Sequence, residues 1–300
     1  VSTSGSLVCI GTFDGVHLGH QALIAAAKNF ANEAGLSLTI CTFDPHPNAV
    51  VRPNQAPLLI CDIAQRKELL TQHGVDHVEV VAFTRQLAQL TPREFSQEFL
   101  KERLKAEIVV VGQNFTYGRN ISGDVHTLRE NGEELGFSVK VFDLIQSAGT
   151  ISSTRIRELI ASGNVVGAAE LLGRNFNLSG HVVRGDQRGR ELGYPTANVE
   201  WDDQLLVPAD GVYAGYVNAL GDRLPSAISV GTNPQFDGKS QRVEAYVLDR
   251  TDLDLYGERI GAEFVEFLRP QEVFESLDGY LTQIALDVAA TAKLLHQVES

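Results

Sequence analysis

The chain has 300 residues, an apolar share of 43% and a formal net charge of -13. It is long enough for one large core or two ordinary ones, while its acidity makes a nucleic-acid backbone or an anionic membrane a poor partner, since both are held mainly by clustered Lys and Arg. Three cysteines, none in a CxxC spacing, read as buried or incidental thiols in a reducing compartment. No apolar run is long enough to span a bilayer and residues 1–20 lack a basic start with a secretory core, so the cytoplasm is the expected location.

In chain order, "SLVCI" (6–10) reads as a strand running into "GTFDGVHLGH" (11–20), and "HQALIAAAKNFANEAG" (20–35) as a helix closed by Gly35. "LSLTICTF" (36–43) is the next strand, residues 64–73 a helix ending at Gly74, and "VEVVAF" (78–83) another strand. In "TPREFSQEFLKERL" (91–104), Thr91 is placed to cap a helix, Pro92 to occupy its first position and Glu94 to close a capping box. "EIVVVG" (107–112) is apolar almost throughout, as a strand covered on both faces of a parallel sheet must be. This βαβα order predicts a doubly wound α/β domain whose ligand lies beyond the carboxyl ends of its strands.

After "ISSTRIRELIASG" (151–163) and a second short helix ending near Gly173, the period changes. "GVYAGYVNAL", "LPSAISVG", "RVEAYVLD" and "AEFVEFL" are short strands separated by turn residues, which predicts a mainly antiparallel barrel or sandwich. From Leu277 onward a helix places Leu281, Ile284, Ala285 and Val288 on one face, a stripe suited to cover an open part of the barrel. The expected domains are 1–174 and 175–300.

In the first motif, Gly11 and Gly15 permit a tight turn and Gly19 leaves room for a phosphate or ribose at the helix start. His17 and His20, three apart, are expected on nearly one helical face. An HxxH pair alone fits a metal site, a capping or core role, or a nucleotide site; its place between a strand and an Ala-rich helix favours phosphate binding.

"GTFDGVHLGH" resembles the HxGH signature of the nucleotidylyltransferase superfamily. That resemblance implies that Gly11, Phe13 and Gly19 help hold ATP and that His17 and His20 stabilise charge on its phosphates as pyrophosphate leaves. "ISSTRIR" (151–157) resembles the superfamily's second phosphate motif, implying Ser152, Ser153 and Thr154 as oxygen donors and Arg155 as the cation. "TFDPHP" (42–47) and "VGQNFTYG" (111–118) are similar to flavin-side segments in the adenylyltransferase module of bacterial riboflavin kinase/FAD synthetases. By that likeness Phe43, Pro45, His46 and Phe115 shape the flavin and nucleotide pocket and Asn114 is a substrate-site amide; packing at strand ends explains either phenylalanine about as well. Where many members carry an acidic residue or pair, this chain has Gln113 and Asn114, so no metal ligand or general base is assigned there.

"RGDQRGRELGYPTANVE" (184–200) is, on its own, either a solvated hairpin or a phosphate-binding turn followed by oxygen ligands. It resembles the PTAN motif of riboflavin kinases, which implies Gly185, Gly189 and Arg190 around phosphate, and Thr196 and Asn198 binding Mg²⁺ and ATP. In "RVEAYVLD" the alternation sets Glu244 opposite Val243 and Ala245, ordinarily a solvated position. The family places its catalytic glutamate here, so Glu244 is expected to take the proton of the riboflavin 5'-hydroxyl. "FLRPQEVFESLDGYLTQIALD" resembles the end of the module, where the last helix lies near the flavin; Arg269 and Phe274 are further candidates, for which a surface arginine and a core phenylalanine are the plain alternatives.

The motifs cover almost the whole chain in family order. They imply a bifunctional enzyme that phosphorylates riboflavin with ATP and adenylylates FMN with a second ATP, with Mg²⁺ as companion ion and small-molecule partners only. A single-activity adenylyltransferase with a flavin-binding second domain is the alternative. A class I aminoacyl-tRNA synthetase lacks support because "ISSTR" is not a KMSKS-like motif and no basic tRNA-binding tail follows; a flavin sensor differs by having no nucleotide turnover. The sequence sets no oligomeric state.

Overall fold

The computed structural model describes residues 5–142, 151–185, 192–231 and 241–298. The chain packs as two compact units, Val1–Pro57 with Ile63–Ile151, and Leu58–Asp62 with Ser152–Ser300.

The first unit runs β1 (Ser6–Ile10), α1 (Leu18–Ala34), β2 (Ser37–Asp44), α2 (Pro47–Val51), α3 (Ile63–Gln72), β3 (His77–Ala82), α4 (Pro92–Glu94, continued by a π-helical stretch Phe95–Arg103), β4 (Ala106–Gly112), α5 (Val125–Leu135) and β5 (Ser138–Phe142). Its five strands are parallel in the order β3-β2-β1-β4-β5. Alternate residues of the central strands feed two cores: Leu7, Cys9 and Val110 pack with α1 and α3, while Val8, Ile10, Val109 and Val111 pack with Phe95, Phe99 and Leu128. This two-sided burial explains the nearly unbroken apolar strands and matches the doubly wound expectation. The chain winds outward from β1 in one direction and returns to β4 for the other, so the crevice at the topological switch is flanked by the loops that follow β1 and β4. The capping box forms as read: Thr91 Oγ1 accepts the Glu94 N–H at 3.2 Å, and the Glu94 carboxylate accepts the Thr91 N–H at 2.7 Å.

The second unit contains α6 (Ser153–Ala161), α7 (Val165–Leu172), β6 (Phe176–Val183), β7 (Thr196–Glu200), β8 (Gly211–Ala219), β9 (Asp222–Gly231), β10 (Arg242–Val247), β11 (Arg259–Arg269) and α8 (Leu277–Val298). The strands close an antiparallel barrel in the order β10-β7-β6-β11-β8-β9. The packing units part at 151/152, earlier than the expected 174/175, because α6 and α7 turn Ile156, Leu159, Ile160, Val165 and Leu172 into the barrel's own core. The segment Leu58–Asp62 belongs here too: Leu59 bridges Leu205 in parallel and Asp62 pairs with Arg259 at 2.6 Å.

One expectation for α8 needs correcting. The barrel is closed, so the helix fills no gap; it packs on the outer surface, with Leu295 and Leu294 against Ala214, Tyr216, Val265 and Leu268. Its buried line is Asp287, Thr291 and Leu295, while Ala285 of the predicted stripe is exposed. Polar Asp287 sits inward because Arg269 meets it there. Among the described residues no helix is long and apolar enough to cross a membrane, and all three cysteines are buried, none in a disulfide.

Candidate active sites

The turn after β1 is tightly wound. Gly11 N–H donates to Cys41 O at 3.1 Å, tying the turn to β2, and a Cβ on Gly11 would lie 3.1 Å from the Phe13 ring. Phe13 (φ 47°) and Val16 (φ 40°) adopt left-handed backbone angles that cost side-chain-bearing residues energy, and both side chains are buried, which supplies the compensation. His17 lies outside the helix as the N-cap of α1; its Nδ1 accepts the His20 N–H at 3.3 Å. The two imidazoles therefore meet for a different reason from the predicted helical spacing: cap and first turn stack the rings 15° from parallel with centroids 3.7 Å apart. Phe13 tilts against His20 with centroids 5.0 Å apart.

Burial, then His17, then Arg66 hold the pKa of His20 well below the ordinary histidine range. His20 Nδ1 is shut off from solvent without a hydrogen-bond partner among the described residues. The first turn of α1, which includes Gly19, carries no acidic side chain. A helix N-terminus with free amide donors, stacked imidazoles and no nearby carboxylate on its own first turn suits an anion.

The segment after β2 lies beside this turn, since β1 and β2 are neighbours. Thr42 Oγ1 donates to Thr12 O at 2.8 Å; Phe43 is buried edge-on to Phe83 with centroids 5.5 Å apart; the Asp44–Pro45 peptide is cis. His46 caps α2 by accepting the Asn48 N–H at 3.1 Å. After β4, Asn114 is exposed and Phe115 stacks on Tyr117 at 5.4 Å. Tyr117 is held by Asn131 at 3.0 Å and Ser96 at 3.2 Å. Both loops leave the carboxyl ends of parallel strands, as predicted.

Three buried residues to which the motif reading gave no role, Asp14 and Thr42 within the quoted strings and Arg66 outside them, underlie this region. Arg66 is 2% exposed and reaches Thr42 Oγ1 (3.3 Å), Phe43 O (3.1 Å) and Asp14 Oδ1 (3.9 Å). A sequence signal existed: Arg66, Leu69 and Leu70 share the buried face of α3 at i, i+3, i+4 spacing, which sets a cation among core leucines.

Of the second phosphate motif, Ser152 caps α6 by accepting the Arg155 N–H at 3.2 Å. Ser153 is half-buried, Thr154 is exposed, and exposed Arg155 pairs with Glu158 at 3.1 Å.

On the barrel, strand register assembles the second cluster. Glu244 pairs directly with Asn198 of β7 on one side and Ser229 of β9 on the other, and Tyr246 pairs with Thr196. Directly opposed residues share a face with Cβ atoms about 5 Å apart. Val199, Val243, Ala245, Ile228 and Val230 are the alternate, core-facing set, so Thr196, Asn198, Ser229 and Glu244 lie together on the half-buried outer face. A Cβ on Gly185 would fall 2.5 Å from Asn198 Nδ2, so the chain before the turn passes against this amide and a larger residue would displace it. Gly189 and Arg190 lie outside the described residues.

The end of β11 closes one side of the cluster. Arg269 forks onto Asp287 of α8 (Nε 2.9 Å, Nη2 2.7 Å), gives Nη1 to Pro270 O, and lies 5.8 Å from the Phe274 ring centroid. Phe274 meets Tyr280 edge-on at 5.6 Å. Burial raises the Tyr280 pKa and the Glu244 carboxylate raises it further, so Tyr280 stands within electrostatic reach of Glu244. Gln271 Nε2 donates to Ser229 Oγ at 2.9 Å and Val230 O at 3.0 Å. Gln271, Tyr280 and Asp287 are contacts that strand alternation could not reveal.

Residues 1–155 match the FAD synthetase family and residues 172–295 the riboflavin kinase family. The chain is 36% identical over 285 residues to the bifunctional riboflavin kinase/FMN adenylyltransferase of Escherichia coli strain K12, covering 94% of this chain and 90% of that one. It is 34% identical over 296 residues to the protein of the same name from Listeria monocytogenes, covering 98% and 93%. A crystal structure from Streptococcus pneumoniae, described as a macrolide-efflux protein, superposes with a TM-score of 0.87 at 34% identity, covering 97% of this chain and 95% of that one. With both domain families present and full-length relatives that carry both activities in their name, the chain belongs to the bifunctional riboflavin kinase/FMN adenylyltransferase family of enzymes.

Proposed function

We propose that the barrel phosphorylates riboflavin and the parallel-sheet unit adenylylates the resulting FMN, each with its own ATP, and that the functional boundary falls near residue 174. The observation that carries the reading is the direct register of Glu244 with Asn198, with Thr196 two pairs away on the same face.

In the kinase reaction, Glu244 accepts the proton of the riboflavin 5'-hydroxyl as that oxygen bonds to the γ-phosphorus of ATP and the bond to ADP breaks. Thr196 and Asn198 offer neutral oxygen donors beside a backbone cradle at Gly185 that a Cβ would fill, a donor set suited to Mg²⁺, which keeps waters and phosphate oxygens as its remaining ligands. When bound there, Mg²⁺ would offset phosphate charge. Gly185, and by family likeness Gly189 and Arg190, hold phosphate. Arg269, committed to Asp287, acts by fixing Phe274 and α8 beside the flavin.

In the second reaction, an FMN phosphate oxygen bonds to the α-phosphorus of ATP and the α–β bridging bond breaks, releasing pyrophosphate. His17 and His20, with the α1 amides near Gly19 and the turn at Gly11 beside them, donate to the phosphates; an anion beside the rings favours their protonated form. Ser152, Ser153, Thr154 and Arg155 fall within the FAD synthetase match and are assigned to the same reaction as phosphate donors. Phe13, Phe43, Pro45, His46, Asn114 and Phe115 shape the nucleotide and flavin contacts. Three buried thiols fit a reducing cytoplasm.

The test is a time course with riboflavin, ATP and Mg²⁺, resolving FMN from FAD. FMN should rise first and FAD follow. FAD formation from supplied FMN, with riboflavin bound but never phosphorylated, would establish the single-activity alternative instead.

A further inference from the structure

We propose that Arg66 is a positioning residue for adenylyl transfer, holding the turn after β1 and the carboxyl end of β2, from which the flavin-side segment leaves, in fixed relation through one buried guanidinium. The proposal rests on the adenylylation reading above, in which that turn carries ATP and that segment faces the flavin.

Arg66 projects from α3 and is almost wholly buried, with 3% of its side chain exposed. Its Nη1 meets Thr42 Oγ1 and Phe43 O, both at the carboxyl end of β2, while Nη2 faces the fully buried Asp14 carboxylate of the turn after β1. Thr42 extends the link, donating its hydroxyl to Thr12 O at 2.8 Å. Two routes therefore join the same segments, one through Asp14 and one through Thr42.

A buried cation is costly unless its donors are used. The Asp14 contact of 3.9 Å is too long for a tight ion pair, and Arg66 Nε has no hydrogen-bond partner among the described residues. The guanidinium divides its donors between the turn after β1 and the end of β2, two segments whose ligands must meet in line. A displacement of about 1 Å between reacting groups can cost about a hundredfold in rate, so holding the two segments acts on turnover more than on binding either ligand.

The experiment compares the full-length chain with its Arg66→Gln, Arg66→Lys and Thr42→Val variants. Measurements are kcat and KM for FAD formation, separate binding of ATP and of FMN, and riboflavin phosphorylation in the same sample. Arg66→Gln is expected to lower kcat for FAD formation about 30- to 100-fold with both binding constants changed less than about threefold. Arg66→Lys, which keeps charge but loses the fork, should recover part of that loss, and Thr42→Val should lose about 5- to 10-fold in the same parameter. Phosphorylation should be unchanged in all three.

Unchanged kcat in Arg66→Gln overturns the proposal, as does a loss confined to the binding of one ligand. If Arg66→Gln fails to fold its first unit, Thr42→Val decides: wild-type kcat in that variant overturns the link. A wild-type chain that makes no FAD from FMN and ATP overturns the adenylylation reading itself, which is a separate result.

Discussion

At the end of β1 two histidines converge because a turn is driven into left-handed backbone angles at Phe13 and Val16, whereas on the barrel Glu244, Asn198 and Ser229 converge because three extended strands are in register. In the first region the functional side chains are also scaffold. His17 caps α1 and stacks on His20, so removing either ring alters the support of the other. In the second region the scaffold is the ladder of backbone hydrogen bonds, and the outward side chains can change without moving it. The same contrast appears in electrostatics: His20 is buried and kept from protonating, while Glu244 stays half-buried on an outer face.

The sharpest way to separate the regions is Glu244→Ala. It should lower FMN formation about 10²- to 10⁴-fold, the usual range for losing a general base, while FAD formation from supplied FMN stays at the wild-type rate. Loss of both reactions in a folded variant would show that the two clusters are not independent. His20→Ala is the mirror experiment, with an expected drop of about 10²- to 10³-fold in FAD formation and unchanged phosphorylation.

Gly185→Ala tests whether the sheet-built cluster is as tight as its register suggests. The new Cβ would collide with the Asn198 amide, and we expect KM for ATP in phosphorylation to rise about tenfold, the equivalent of one disturbed hydrogen bond, with the melting temperature nearly unchanged. Wild-type KM would show that Asn198 moves freely. The smallest expected effect concerns acid stability. His20 has a lowered pKa in the fold, so below its unfolded value of about 6.5 the unfolded chain binds a proton that the native chain does not, and stability falls as the pH falls toward the native value. Denaturation of the first unit followed from pH 7.5 to 5 should show this slope in the wild type and a shallower one in His20→Gln.

Much of the first unit was legible because its signals are local. Thr91, Pro92 and Glu94 form the predicted cap, and Gly35, Gly74 and Gly173 stand at helix ends with positive φ. The outward setting of Glu244 also follows from alternation alone. The reading failed where a polar residue sits inward to meet a distant partner. Arg66 on α3 and Asp287 on α8 both occupy positions that apolar spacing reserves for core residues, and each is there because of a group remote in sequence. Leu58–Asp62 similarly carries no mark of joining the second unit, since its bridge to Leu205 is a backbone pairing.

By itself the sequence determined the two kinds of unit, the turns that end strands next to ligand motifs, and the family chemistry those motifs carry, because capping, alternation and glycine turns act within a few residues. Only the tertiary structure decided that the barrel closes, that α8 lies on its outer surface, and that Arg66 joins the turn after β1 to the end of β2. Closure and long-range pairing depend on which surfaces meet across the fold, and no local spacing encodes that.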